Sequence, residues 1–489
     1  MESNTHDRPI GAALAEDIQA MLGSPPDLIC RSLTTEENRS IQLIYLDSLV
    51  NRQAVDEFIV ESVRRNAFAE GPAASGSRYA RELALAEPYA TVRDEAARAA
   101  ASGQCVLIDD GRKRVCMIDA YDAPGRAIEE PMSEPTIRGS HEGFTENIRV
   151  NIGLIRKRIL NPALRFEEMR IGSRSGTNVM IAWMDGLAPE ALLQEIRRRL
   201  SAIRTDSVLE SSYLEEFIQD RILSPFPTIL NTERPDKTAA LLLEGKVAIL
   251  TDGTPYVLIA PLTFFDLFCS SEDYFQRADI ATFIRWLRFI SFFVAVFAPS
   301  LFVAATTFHQ ELIPTELLIS LSAQREGVPL PAFLEVMLME IVFEIIREAG
   351  LRMPRAVGQA LSIVGAIVLG QAAVEAGLIS AAVVIVVAVT GITNFVVPVY
   401  SFGMSQRLLR FTFILLAGLL GLFGILCGTL MLIAHLVSLK SFGVPYMTPM
   451  APAEAADWPD VLARAPRPWN DPNRLPASVR FLKRKQPGG

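Results

Sequence analysis

The sequence predicts an α/β cytoplasmic region of two similar small subdomains, followed by an all-α polytopic membrane bundle. Three observations carry that expectation. The order strand, helix, Asp-Gly hairpin occurs twice before Thr282. Apolar runs long enough to cross hydrocarbon begin at about that residue. Acidic residues recur inside those runs, where a carboxylate is costly unless it meets water, a partner or the bundle interior.

In the first subdomain, Ile41-Gln-Leu-Ile-Tyr-Leu-Asp47 alternates like a strand and leads to an amphipathic helix through Val55, Phe58 and Ile59. The run Gln104 to Ile108 then turns at Asp110-Gly111 into Val115 to Ile118. The second subdomain repeats the plan with Asn178 to Asp185, a helix opened by Pro189 and carrying Leu192, Leu193, Ile196 and Leu200, and a hairpin through Asp252-Gly253. The Pro- and Glu-rich stretch from Pro124 to Pro135 is a linker. The expected division is 1–125, a linker at 126–146, a second subdomain at 147–281, a transmembrane region at 282–440 and a partly disordered tail at 441–489. After the linker, Asn147 to Leu160 is a helix whose Arg149, Arg156 and Arg158 read as a solvated basic face.

Composition agrees with two physical regimes in one chain. Mean hydropathy is +0.26 with 21% of residues charged. A net charge of -8 excludes the broad basic surface that nucleic acid requires. The basic cluster Arg480 to Lys485 reads first as a solubilising tail, with anionic headgroups as the other reading. Cys30, Cys105, Cys116, Cys269 and Cys427 form no CxxC pair, so no zinc site or disulfide framework is expected. Glu2, Asp7 and Glu16 stand where a signal peptide needs a basic start and an apolar core, which predicts that the first half stays in the cytoplasm.

Spans are expected at Phe283 to Thr306, Ala356 to Gly377, Leu378 to Tyr400 and Leu408 to Leu439, the last long enough to tilt or break at its glycines. Between the first two, Pro331 to Gly350 carries Glu335, Glu340, Glu344 and Glu348. At about 100° per residue the last three share one face and Glu335 lies nearly opposite. If that helix crosses, Arg347, Arg352 and Arg355 emerge on the cytoplasmic side, as do Arg407 and Arg410 later. The number of crossings, and with it the side of the tail, is left open. Within Ala356 to Gly377, the residues Gln359, Ser362, Ala366, Gly370 and Ala373 form a small-residue stripe for close helix packing. Val364, Val368, Gln371 and Glu375 share another sector. Lining an aqueous path, it pairs an apolar constriction with a polar mouth; at a helix end, Glu375 snorkels to the interface instead.

No enzyme motif is present. His141, His309 and His435 are isolated, no triad or metal set has the spacing, and no Gly-rich phosphate loop occurs, so neither catalytic residues nor a cofactor is expected.

Several long strings nevertheless stand together: Arg138 to Phe144, Ser224 to Pro227, Thr232 to Asp236, Phe308 to Pro314, Met339 to Glu344 and Ile363 to Gly377. Through them the chain resembles, from about Glu130 to Ser441, the A subunits of GerA-type spore germinant receptors, a group that includes stage V sporulation protein AF. The resemblance implies a spore inner-membrane protein that acts with B- and C-type subunits and oligomerises into an ion channel in germination. A stage V AF-like accessory channel and a non-conducting membrane scaffold are the alternatives.

Overall fold

The computed structural model describes residues 10–35, 39–64, 81–85, 88–122, 130–131, 133–352, 370–453, 461, 463–466 and 475–485. Strands β1 (Leu28–Thr34), β2 (Ser40–Leu46), β3 (Arg81–Ala84), β4 (Gln104–Asp109) and β5 (Arg114–Asp119) form a five-stranded sheet in the order β1-β2-β4-β5-β3. Strands β6 (Leu164–Ile171), β7 (Thr177–Met184), β8 (Leu230–Thr232), β9 (Val247–Thr251) and β10 (Val257–Ala260) form a second in the order β6-β7-β9-β10-β8. Replacing each strand of one by its counterpart gives the other, and every neighbouring pair is antiparallel.

The pleat explains the covering helices. Along β2, Ile44 faces α1 (Ile10–Leu22) and α2 (Tyr89–Ala101), while Leu43 and Tyr45 face a helical stretch at 52–64 carrying Val55 and Ile59. In the second sheet, α3 (Ile148–Arg156) and α6 (Pro235–Leu243) cover one face, and α4 (Glu190–Ala202) and α5 (Ser211–Ile218) the other. The predicted apolar face of α4, Leu192, Leu193, Ile196 and Leu200, is the buried one.

On the basic face of α3, Arg149 is solvated as expected, but Arg156 and Arg158 depart from that reading. Arg156, 2% exposed, grips Asp27 of the first subdomain with two 2.9 Å bonds, and Ser48 Oγ donates to the same carboxylate. Arg158 pairs with Glu142 at 2.6 Å. Helical periodicity shows which residues share a face but not that a neighbouring domain covers it.

The helical region begins with α7 (Ala278–Thr307), 30 residues with Pro299 inside, which contains the expected span from Phe283 to Thr306. Then follow α8 (Thr315–Arg325), α9 (Ala332–Arg352), α10 (Gly370–Glu375), α11 (Ala381–Asn394) and α12 (Tyr400–Ser438). Two of these, α7 and α12, are long and apolar enough to cross a membrane. The expected span from Leu378 to Tyr400 contains only the 14-residue α11, about 21 Å long against about 30 Å of hydrocarbon. Its helix stops at Asn394, ahead of Pro398.

Helix α12 does break at a glycine. Gly421 has φ 60° and ψ -141°, a conformation that only glycine adopts readily. The chain reverses there: a Cβ at Gly428 would lie 2.9 Å from Phe413 Cε1, an atom that a continuous helix would hold about 22 Å away along its axis. Gly424 approaches the Leu416 carbonyl so closely that any side chain would collide with it. The two limbs of α12 are therefore a tight hairpin. Its tip meets Phe308 and His309 at the end of α7.

The reversal decides where the chain goes next. Ser441 Oγ donates to Thr228 O at 2.6 Å, and Phe442 N donates to Asp220 Oδ2 at 2.7 Å, so the tail returns to the second sheet. The basic cluster is not a free tail: it lies on α13 (Ala477–Lys485), whose Leu482 joins the second subdomain's core beside Phe442 and Val444. Replacing Asp27 by Ala strands a buried guanidinium. It should lower unfolding stability by about 3–5 kcal/mol, measured by thermal melting of the detergent-solubilised chain.

Candidate functional site

Glu335, Glu340, Glu344 and Glu348 of α9 each meet a basic partner. Glu335, 0% exposed, lies 3.3 Å from Arg325 Nε and accepts Ser380 N at 3.0 Å, tying the end of α8 to the start of α11. Glu340 lies 3.2 Å from Arg410 Nη2. Glu344 is 3.2 Å from Arg410, 3.4 Å from Arg407 and 2.6 Å from Arg347. The geometry follows from antiparallel packing of α9 on the first limb of α12: Phe333 lies against Gly418 at one end, and the acids meet the arginines at the other. Glu340 and Glu344 are one turn apart on α9, and Arg407 and Arg410 are three residues apart on α12, so each pair faces the other.

Sequence reasoning placed Arg407 and Arg410 at the membrane surface. Instead both side chains turn inward, 6% and 2% exposed, and supply the counter-charges. The complementary spacings were the available signal. Glu348 is different: it is exposed and pairs with Arg352 on its own helix.

Of the small-residue stripe, Gln359, Ser362 and Ala366 lie outside the described residues. Gly370 is buried on α10, where a Cβ would lie 3.4 Å from Val384 of α11, and Ala373 packs against the core. Of the other sector, Val364 and Val368 also lie outside the described residues. Gln371 and Glu375 are both exposed, and Gln371 Nε2 donates to Glu375 Oε1 at 2.9 Å.

The helical region is bolted to the second subdomain at two places. At the first, Asp273, held in a capping box with Ser270, accepts Arg288 at 2.8 and 2.9 Å and Arg285 at 3.4 Å, all three buried. Arg285 and Arg288, in the first turns of α7, are thus the lock that sets this helix on the sheet domain. At the second, Phe226 lies 6.2 Å from both Phe402 and His435, one on each limb of the hairpin. Ser405 Oγ donates to Pro225 O, and Ser224 Oγ lies 2.9 Å from His435 Nε2.

Beside this seat, a cavity of about 180 Å³ is lined by Glu134, Glu210, Glu215, Asn231, Tyr256 and Tyr400, the last being the first residue of α12. Burial, then the charge of Glu210, pushes Glu215 from 4.5 up to about 7. Burial and the carboxylate of Glu233 push Tyr256 up to about 12. Among the described residues no group of three or more His, Cys, Asp or Glu side chains is arranged to hold a metal ion.

Comparison with known proteins adds a lineage to this geometry. Residues 16–475 match the family described as Bacillus/Clostridium GerA spore germination protein. The chain is 42% identical to spore germination protein KA of Bacillus subtilis, over 96% of this chain and 87% of that one. It is 39% identical to the membrane protein YfkQ of the same organism, over 98% and 93%. It is also similar to the crystal structure of the N-terminal domain of the A subunit of the Bacillus megaterium spore germinant receptor GerK3, at 28% identity and a TM-score of 0.40, over 54% of this chain and 99% of that one.

Two tests follow. Arg410→Leu leaves Glu340 and Glu344 short of counter-charge and should cost about 3–5 kcal/mol, with the double variant Glu340→Leu/Arg410→Leu recovering part of the loss; a double-mutant cycle on thermal midpoints measures it. Glu215 holds its proton more tightly folded than unfolded. Its contribution is therefore fully present below pH 4.5 and is lost as pH rises through about 7. Glu215→Gln should flatten the stability profile across that window in pH-dependent melting curves.

Proposed function

We propose that this chain, which belongs to the GerA family of spore germination proteins, is the A subunit of a nutrient germinant receptor in the spore inner membrane. In this reading the sheet subdomains and the tail lie in the cytoplasm and the helical region is polytopic. Copies of the chain assemble with each other, with membrane lipid and with B- and C-type subunits into a gated ion channel. The reading includes no catalytic step and no nucleic-acid partner.

The exposed pair Gln371 and Glu375 carries the proposal. A carboxylate on the outside of an apolar bundle is costly against lipid, whereas a neighbouring copy around a hydrated path removes the penalty. Val364 and Val368 precede that pair at helical spacing, which supplies an apolar constriction able to close by dewetting.

The Glu340, Glu344, Arg407 and Arg410 set favours a second reading, because it neutralises itself and serves equally as the clamp of a non-conducting scaffold. Ion flux in proteoliposomes separates the two. The channel reading expects Val364→Ala to raise resting cation flux and Glu375→Gln to lower it. Unchanged flux in both, with normal assembly, favours the scaffold.

A further inference from the structure

We infer that the turn Arg221 to Ser224 is a lipid-interface anchor, inserting Ile222 and Leu223 into the leaflet on the sheet-domain side of the membrane. Ser224 N donates to Arg221 O at 3.3 Å, which places Ile222 and Leu223 at the two central positions. Such positions ordinarily hold Gly, Pro, Asn, Asp or Ser. Here two large aliphatic side chains project outward, 68% and 98% exposed.

Both ends of the turn are fixed to the last turn of the returning limb of α12. Arg221 Nη1 donates to Ser438 Oγ at 3.3 Å, and Ser224 Oγ lies 2.9 Å from His435 Nε2. The outward residues of that limb, Ile433 and Val437, are 52% and 51% exposed, so one apolar strip runs off the helix onto the turn. Phe217, near the end of α5 just ahead of the turn, is exposed as well.

Arg221 and Lys440, both exposed, flank the strip with positive charge, the arrangement that suits headgroups. Asp220, the nearest acid in sequence, is occupied by Arg199 and Phe442 N, each at 2.7 Å. Continuity with the outer surface of a membrane-crossing helix and the basic flank identify lipid as the occupant. The inference rests on the reading that α12 enters the bilayer.

The test uses the full chain with Cys30, Cys116, Cys269 and Cys427 replaced by Ala. It is reconstituted in vesicles of phosphatidylcholine and phosphatidylglycerol, with an environment-sensitive fluorophore on Leu223→Cys. Leu430→Cys on the limb reports the crossing, and Ser173→Cys on an exposed loop reports water. The label at 223 should emit to the blue of that at 173 and lose about half its intensity to lipids quenching near the headgroup, with less loss to lipids quenching at the bilayer centre. Adding Ile222→Asp should return it toward aqueous emission.

A label at 223 as wet as that at 173, with 430 quenched, overturns the anchor and leaves the crossing standing. A label that is dry yet unquenched by lipid is covered by protein, a second copy or another subunit, and also overturns it. Failure to quench 430 removes the crossing and the anchor together.

Discussion

A charge is tolerated inside this protein where an opposite charge is buried with it, and three such pairings hold its internal boundaries. Asp27 with Arg156 joins the two sheets. Asp273 with Arg285 and Arg288 joins the second sheet to the first long helix. Glu340 and Glu344 with Arg407 and Arg410 join α9 to the hairpin. Removing one partner of such a pair leaves an uncompensated charge in a medium that solvates it poorly, so each boundary is sensitive to the loss of a single side chain.

The repeat in the first half was legible because it is written in local chemistry: alternating β2 and β7, Asp-Gly turns, and a proline ahead of α4. The edge strands were not: β3 and β8 are short and pair with β5 and β10 further along the chain, while β1 and β6 are half-exposed edges that carry charged residues within the strand. In the helical half the acids were read as needing water, a partner or the bundle interior, and the arginines that Glu340 and Glu344 meet on α12 lie far along the chain. Arg407 and Arg410 look like surface anchors in sequence because hydropathy alone cannot distinguish a charge at a helix end from one turned into a bundle.

The hairpin shows a similar limit. The apolar run from Leu408 to Leu439 reads as a span long enough to tilt or to break at its glycines, and glycines in such a run are common. What makes Gly421 a reversal is its positive φ together with Gly424 and Gly428, which leave room for the returning limb. The consequence for topology is large, because it brings the segment after Leu439 back to the sheet domain, a matter the sequence left open.

Both feet of that hairpin stand on Phe226, so the second sheet domain holds it as a hand holds a tuning fork. Tilting the domain swings the far end near Phe308 through an arc set by the length of the prongs, while their spacing stays fixed by backbone contact at Gly424. A rotation of the sheet domain is thereby carried to the far end of the hairpin without the fork itself having to open.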